Sequence, residues 1–531
     1  MVDVRLVGFD VSKDSLDEII SIGKGVLERE GEMWLPRERE RAYRQAIKEM
    51  LEMVGSLTPE VLSAGFARIS RDPRPVPEIL KDARNNVAAA RKSNTAIIHG
   101  MGHKSIAEHA PVSFAIMGLS RHAVEAVEQA RLASFTERSQ RYTTTDGNYV
   151  VPEEIRGTEF EADFHRVAAL QNSFYQKVFP QLVEWHRQRD YSELFKALGC
   201  SDNPEKQATV IENLGKEDAR YVLPLATKVQ LGMTTNGRLL ETMITRLRSS
   251  RIAEQREIGE KLNELVDGIA PSVIKYTEPT DYFTKTRPGL EEYVRALCKQ
   301  HGFTPDFSDR NKPLTEFQQF SDNNVPVLAG LLFAHSNMGL QQCQSLIDIL
   351  LCSDPKALEK LDTLAKRHRT VHDPLLREYE LRYPVQLVLS SSAFAQLKRH
   401  RMCTLIAQAY DPRLGTTVPQ SIVATRNGMG FLNVMSESEA LYWILKADPR
   451  TTHIADYILT NAHRRRVLLD ANLREQSVIS TERENLAAQW DIRLIAKLLH
   501  AYTTGKFPIL SRGMCGKHEY EAMHRHLLQE E

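Results

Sequence analysis

Cysteine is scarce in this chain and never paired for chemistry. Six cysteines (Cys200, Cys298, Cys343, Cys352, Cys403 and Cys515) are scattered over 531 residues with no C-x-x-C spacing. That fits a reducing compartment and argues against a disulfide framework and a thiolate zinc site, so no metal is expected. Long apolar runs are also missing: no stretch of about 18 apolar residues is present, as a membrane-spanning helix needs. The first residues, MVDVRLVGFDVSKD, bring in acidic side chains at once and lack the apolar core of a signal peptide. A cytoplasmic location is the expectation. Charge of one sign is missing too, since 69 Lys+Arg balance 69 Asp+Glu. Without a global basic field a nucleic-acid partner is not expected, and an anionic small molecule must be held by a local arginine cluster. What remains is ordinary for a globular protein, with 42% hydrophobic and 26% charged residues.

The chain repeats itself. "EVLSAGFARISRD" (60–72), "GHKSIAEHAPVSFAI", "RLASFTERSQRY" (131–142) and "NYVVPEEI" follow one another in the first half. "PVLAGLLFAHSNM" (326–338), "KRHRTVHDPLLREYELRYPVQLVL", "FAQLKRHRMCTLIAQAY" and "TTVPQSI" follow in the same order in the second. Ala67 to Ala334 is 267 positions, Arg131 to Arg401 is 270 and Pro152 to Pro419 is 267, while Ile258 to Ile492 is only 234. Such near-constant offsets mark two homologous units, 1–283 and 326–531, the second shortened late. The Pro/Asp/Asn-containing stretch 284–325 reads as a connector. "PVSFAIMGL" and "PVQLVL" alternate like strands, each followed by Ser (Ser120; Ser390 to Ser392) as a helix N-cap. Long helical stretches are expected at 158–187 and 239–268. The fold class is α+β, helix-rich, with a duplicated core.

Several polar sets carry chemistry. Ser105-x-x-Glu108 is a capping-box pattern that would open a short helix between a Gly-containing turn and a strand. The same residues, with His103 and His109, also gather where an anion is favoured, and both readings stand. In "FAQLKRHRM", Gln396, Arg399 and His400 stand at i, i+3, i+4 and would share one helix face. That face is either merely solvated or a clamp for a phosphate and a planar ring. The matching helix of the first copy, "VEAVEQARL", has Gln129 and Ala130 in place of Arg399 and His400 and keeps only Arg131. Downstream the first copy has Glu137, Ser139 and Arg141, where an extended stretch would point Ser139 and Arg141 to one side. The second copy has Ala407, Ala409 and Asp411 there.

These motifs resemble the flavin-dependent thymidylate synthase family, whose signature R-H-R-x-x-S-x-N-E-x-S-x-R-Y follows a G-H-x-[ST]-x-x-E-H element. The first copy follows the family's order from about 60 to 260, including "KEDARYVLPLATK…NGRLLE" at 216 to 241. The second matches in R-H-R and "AAQWDIR" at 487 to 493. The signature Asn is Thr136 in one copy and Ile406 in the other. The second copy's counterpart of the G-H element is "VHDPLLRE", with Pro374 and Arg377 for Ser and Glu.

The resemblance implies two tandem units of the flavin-dependent thymidylate synthase fold forming an intrachain pseudo-dimer. It further implies FAD, methylenetetrahydrofolate and NADPH, and a homodimer of chains equivalent to the family's homotetramer. By the same resemblance dUMP is held by Glu137, Ser139, Arg141, Gln396, Arg399 and Arg493. FAD is held by His103, Ser105, Glu108, Arg131, His400 and Arg401. The two sets are divided between the copies, so complementary loss predicts a composite site. A related flavoenzyme acting on another pyrimidine nucleotide, or a non-catalytic flavin- or nucleotide-binding protein, are the alternative readings.

Overall fold

A computed structural model describes residues 2–11, 13–28, 36–55, 57–145, 147–316, 324–368, 376–380, 384–506, 514–520 and 522–523. Strands form where the alternation is cleanest. The first sheet holds β1 (Asp3–Phe9), β2 (Pro111–Ser120), β3 (Ser134–Glu137) and β4 (Lys228–Asn236) in the order β1-β2-β4-β3. In β2 the alternate residues Val112, Phe114 and Ile116 are fully buried, as the sequence pattern requires. The second sheet holds β5 (Leu314–Glu316), β6 (Val385–Ser390), β7 (Thr404–Ala407) and β8 (Arg464–Asp470) in the order β5-β6-β8-β7. The same strand order thus occurs twice, and the two expected strands are β2 and β6. All six residues of β6 are buried, so its sequence VQLVLS reads as a nearly continuous apolar run. Ser390 caps the helix that follows, its hydroxyl accepting from the Ala393 N–H.

Packing divides the chain into two compact units interleaved along the sequence. One comprises Met1–Leu119, Ala123–Glu137 and Val229–Thr280; the other comprises Ser120–His122, Arg138–Lys228 and Asp281–Glu531. The second unit therefore contains residues of both sequence repeats. The stretch expected as a connector, 284–325, carries most of a helix, Asp281–Gln300, and the edge strand β5. Tyr282, Leu290, Val294 and Leu297 recur at helical spacing and are buried against Leu332, Phe333 and Leu346. That apolar periodicity outweighs the turn-like Pro and Asp content.

The expected helix at 158–187 forms as Glu161–Arg187. The one expected at 239–268 is two helices, Gly237–Arg248 and Ala253–Asp267. The break falls at Ser249 and Ser250, whose hydroxyls bond the Thr245 carbonyl (2.7 Å) and the Ile252 N–H (3.1 Å) and compete with the helix ladder.

Within the second unit the repeats meet around a pseudo-two-fold axis. Gln171 donates to the Ser438 hydroxyl at 2.8 Å across 267 positions, the repeat offset itself. The helices bearing them, Glu161–Arg187 and Gly428–Ala447, start at equivalent positions. Further on, Pro224 bridges Thr460 antiparallel, and Leu225 N–H reaches Leu459 O at 2.7 Å while Asn461 N–H reaches Leu223 O at 3.0 Å. The "RYVLP" and "DYILT" segments are each other's equivalents. A residue touching its own equivalent is the mark of an isologous contact, here inside one chain. The fold is therefore a tandem pseudo-dimer, as expected. Between these two contacts the offset falls from 267 to 236, so the first copy holds 31 residues that the second lacks.

Candidate functional site

Ser139 and Arg141 do not lie in an extended stretch. After β3 the chain turns: the Ser139 hydroxyl accepts from the Arg141 N–H at 3.2 Å, and Ser139 O accepts from Tyr142 and Thr143. A serine bonding its own backbone two residues on favours a turn over a strand, so the alternation argument fails there.

The Arg141 side chain reaches into the second repeat. Its Nε donates to Glu217 Oε1 at 2.5 Å and its Nη2 to the Ala487 carbonyl at 3.0 Å, in "AAQWDIR". Arg493 of the same motif donates to Leu486 O at 3.3 Å. Arg141 and Arg493 line one cavity of about 360 Å³, together with Glu217, Tyr191, Leu214 and Trp490. Burial pushes the Glu217 carboxyl up, opposed by Arg141 and Arg220, and pushes the Arg493 guanidinium down, opposed by Glu217.

Two further arginines escaped sequence reasoning. Arg220 is buried, and its Nε and Nη2 have no hydrogen-bond partner among the described residues. Burial pushes its guanidinium down, with the neighbouring charges Arg141 and Arg121 adding to the effect and Glu217 opposing it. Arg483 is pushed down by burial and by the charges of Arg399 and Arg141. Arg141, Arg220, Arg399, Arg483 and Arg493 are thus electrostatically linked, and Glu217 and Glu482 only partly compensate them. Buried cations in excess favour a bound anion. The one available signal was a charge inside the otherwise apolar "ARYVLPLA".

The helix carrying Gln396 is Ser391–Leu397, so Arg399 and His400 lie past its end and do not share its face. Its last turn tightens, with His400 N–H bonding Leu397 O at 3.0 Å, because the His400 ring is drawn into the interior. Gln396 Nε2 donates to Gln489 at 3.3 Å, while its Oε1 is buried without a partner. Arg399 and Arg401 are exposed. His400 is buried between Glu475 (3.2 Å from Nδ1) and Arg483, whose Nε donates to Nε2 at 2.9 Å. Both ring nitrogens are therefore used internally, and a direct flavin contact by His400 would require breaking one of these bonds.

Burial and Arg483 push the His400 imidazole down to about 3. Because this lies below the ordinary value of 6.5, the unfolded chain takes up the proton first. Stability is full above pH 6.5 and falls as pH descends toward 3. Between pH 6.5 and 5 this one group removes about 2 kcal/mol. In urea titrations at pH 7 and pH 5, His400→Gln should therefore lose less stability on acidification than the unaltered chain.

In the first unit, His103, Ser105 and Glu108 sit on a short 3₁₀ helix, Lys104–His109, after Gly102 at φ 77°. The capping box is not formed: the helix opens at Lys104 with no side-chain cap. Glu108 instead accepts from Arg238 at 2.6 Å, an ion pair that outcompetes its reach back to the backbone. A side chain at Gly237 would meet the Ala107 carbonyl at 3.0 Å and Val273 at 2.5 Å, so glycine lets this turn approach. His103, Ser105 and Glu108 are exposed. Imidazole, hydroxyl and the neighbouring guanidinium form a donor set suited to a diphosphate and a polyol. The first copy's helix ends at Val127, so Gln129 and Arg131 follow in a turn, with Gln129 accepting from Arg246 at 2.6 Å. Glu137 closes β3, paired with Leu231. Of the second copy's counterparts, His372 and Pro374 lie outside the described residues, and Arg377 donates to Leu405 O at 3.4 Å. No helix among the described residues is long and apolar enough to cross a membrane.

Comparison with known proteins gives two matched regions. The family described as "Thymidylate synthase complementing protein" matches residues 49–272 and 378–509. "UPF0159 protein Ta1429" of Thermoplasma acidophilum is 25% identical over 424 residues, covering 74% of this chain and 82% of that protein. A "Flavin-dependent thymidylate synthase" of Clostridium tetani is 30% identical over 227 residues, covering 42% of this chain and 83% of that protein. Among solved structures, Thymidylate Synthase X from Helicobacter pylori with FAD and dUMP is 20% identical, covers 41% of this chain and 94% of its own, and superposes with a TM-score of 0.25.

Proposed function

Since the chain belongs to the family of flavin-dependent thymidylate synthases, matched over two regions that together span more than half its length, we propose that it converts dUMP to dTMP with FAD at a site composed from both repeats. The observation that carries this reading is the convergence of Arg141 from the first repeat and Arg493 from the second on one cavity. In this reading methylenetetrahydrofolate supplies the carbon and NADPH the reducing equivalents.

The chain's own residues take the following roles. Arg141, with Nε and Nη2 held by Glu217 and Ala487, offers Nη1 to the nucleotide phosphate. Arg220 and Arg399 add charge from the two copies, and Ser139 adds a hydroxyl. Glu137 and Gln396 fix the nucleotide. Arg493 stabilises negative charge developing on the pyrimidine, a donor already in place when the charge appears. The exposed His103, Ser105 and Glu108, with Arg131 and Arg401, hold FAD, which when bound supplies the hydride chemistry. His400 acts behind them through Arg483. None of the six cysteines lines the cavity, so no thiol takes the nucleophile's role. The repeat units 1–283 and 326–531 together stand for a family dimer, and two chains for its tetramer.

Complementation of a thymidine auxotroph tests the reading. Growth without thymidine, together with flavin absorbance in the purified chain, is the expected outcome. A colourless chain that leaves the auxotroph dependent on thymidine contradicts it.

A further inference from the structure

The 31 residues that the first copy holds in excess fall between Gln171 and Pro224. That stretch supplies the cavity's apolar wall: Tyr191, Leu194, Leu198, Val210 and Leu214. The second copy has nothing to build an equivalent wall. One polar group in this wall is tied to a buried chain of hydrogen bonds. The Tyr191 hydroxyl is 2.5 Å from His186 Nδ1, and His186 Nε2 is 3.1 Å from Asp218 Oδ2. Asp218 also accepts from Trp490 Nε1 at 2.9 Å on Oδ1, and from the Ser421 hydroxyl on Oδ2. His186 and Asp218 are both buried.

This chain of bonds has a direction. A carboxylate serving three donors only accepts, so His186 carries its proton on Nε2. Nδ1 of the neutral ring is then a lone pair, and the Tyr191 proton points inward to it. The Tyr191 oxygen is left with lone pairs only for whatever occupies the cavity. Desolvation pushes the phenol up to about 12, so it stays neutral.

We propose that Tyr191, set by His186 and Asp218, is a specificity-determining hydrogen-bond acceptor that selects an imide N–H, the N3–H of a uracil ring, over a ring nitrogen that can only accept. Cytosine presents such a bare nitrogen at the same position and would meet Tyr191 lone pair to lone pair. A site built to pair one polar group rejects the analogue that leaves it unpaired more strongly than an apolar pocket rejects a change of size. The inference rests on the reading of the cavity as the site of a uracil nucleotide. His186 and Asp218 are positioning residues, because they act only through Tyr191.

The test measures dissociation constants of dUMP and dCMP for the full chain, Tyr191→Phe and Asp218→Asn. The unaltered chain should prefer dUMP. Tyr191→Phe should lose about tenfold in that preference, the size of one net hydrogen bond, chiefly through weaker dUMP binding. Asp218→Asn turns a donor toward His186 Nε2, moves the ring proton to Nδ1 and frees the Tyr191 proton to point outward. The preference should then fall further, toward dCMP. A ratio of two constants does not depend on the fraction of protein folded, so partial unfolding cannot imitate this result. An unchanged ratio in both variants overturns the inference and leaves the proposed function standing. Failure of the unaltered chain to bind dUMP at all removes both.

Discussion

Arg141→Ala should weaken dUMP binding by about 1.5–3 kcal/mol, the range for a charge-assisted hydrogen bond to phosphate. A second effect follows from the buried partner. Glu217 is buried and already pushed up, and Arg141 is the guanidinium that contacts it. Without that cation the carboxyl rises further and holds a proton at pH values where the unfolded chain has released it. The variant's stability should then be greatest below the ordinary carboxylate range and decline as pH rises through the window above it. The double variant Arg141→Ala/Glu217→Gln should recover most of the stability while nucleotide binding stays weak. That outcome separates the ligand-binding role from the structural one. Arg141→Lys should rescue only in part, because it keeps the charge but cannot span Glu217 and the Ala487 carbonyl with one planar fork.

Asp309→Ala should cost about 3–5 kcal/mol of stability in urea unfolding, as removal of one partner of a buried ion pair does. Arg466 of β8 is fully buried, and Asp309 meets it with both oxygens, at 2.7 Å from Nε and 2.6 Å from Nη2. The remaining donors go to the carbonyls of Asn337 (2.6 Å) and Asp306. Gln386 of β6 also donates to Asp309 at 2.7 Å, so the pair ties two strands of the second sheet to the 306–309 turn. Replacing both partners, Asp309→Ala with Arg466→Met, should restore much of the loss, since no uncompensated charge then remains.

Much of this was legible in the sequence because the duplication leaves two versions of each element. The 267-residue offset fixes which helices are equivalent, and the Gln171–Ser438 contact repeats that offset in space. The strands β2 and β6 and the Ser390 cap follow from alternation and from a hydroxyl at the strand's end. The sorting of Arg141 into one copy and Arg493 into the other pointed to a shared site, and both line one cavity. Other features depend on burial, which a sequence does not display. Arg220 and Arg483 read as ordinary surface cations until packing encloses them. The helix end at Leu397 was hidden because Lys, Arg and His are all acceptable to a helix, and only the buried His400 contacts decide the stop. Ser105 and Glu108 fit a capping box by spacing, yet Glu108 had a stronger partner, Arg238, 130 positions away. The wall around Tyr191 was visible only as a change of offset, with no motif to give it meaning.

The composite site is tested most directly by a double-mutant cycle between the repeats, with dUMP affinity measured for the unaltered chain, Arg141→Ala, Arg493→Ala and the double variant. The two arginines are 352 positions apart, so a shared ligand is the direct route for coupling between them. If both hold one nucleotide, each single change weakens binding and the pair departs from additivity by at least about 0.5 kcal/mol. Additive losses, or a loss confined to one of the two arginines, would contradict a site built from both repeats.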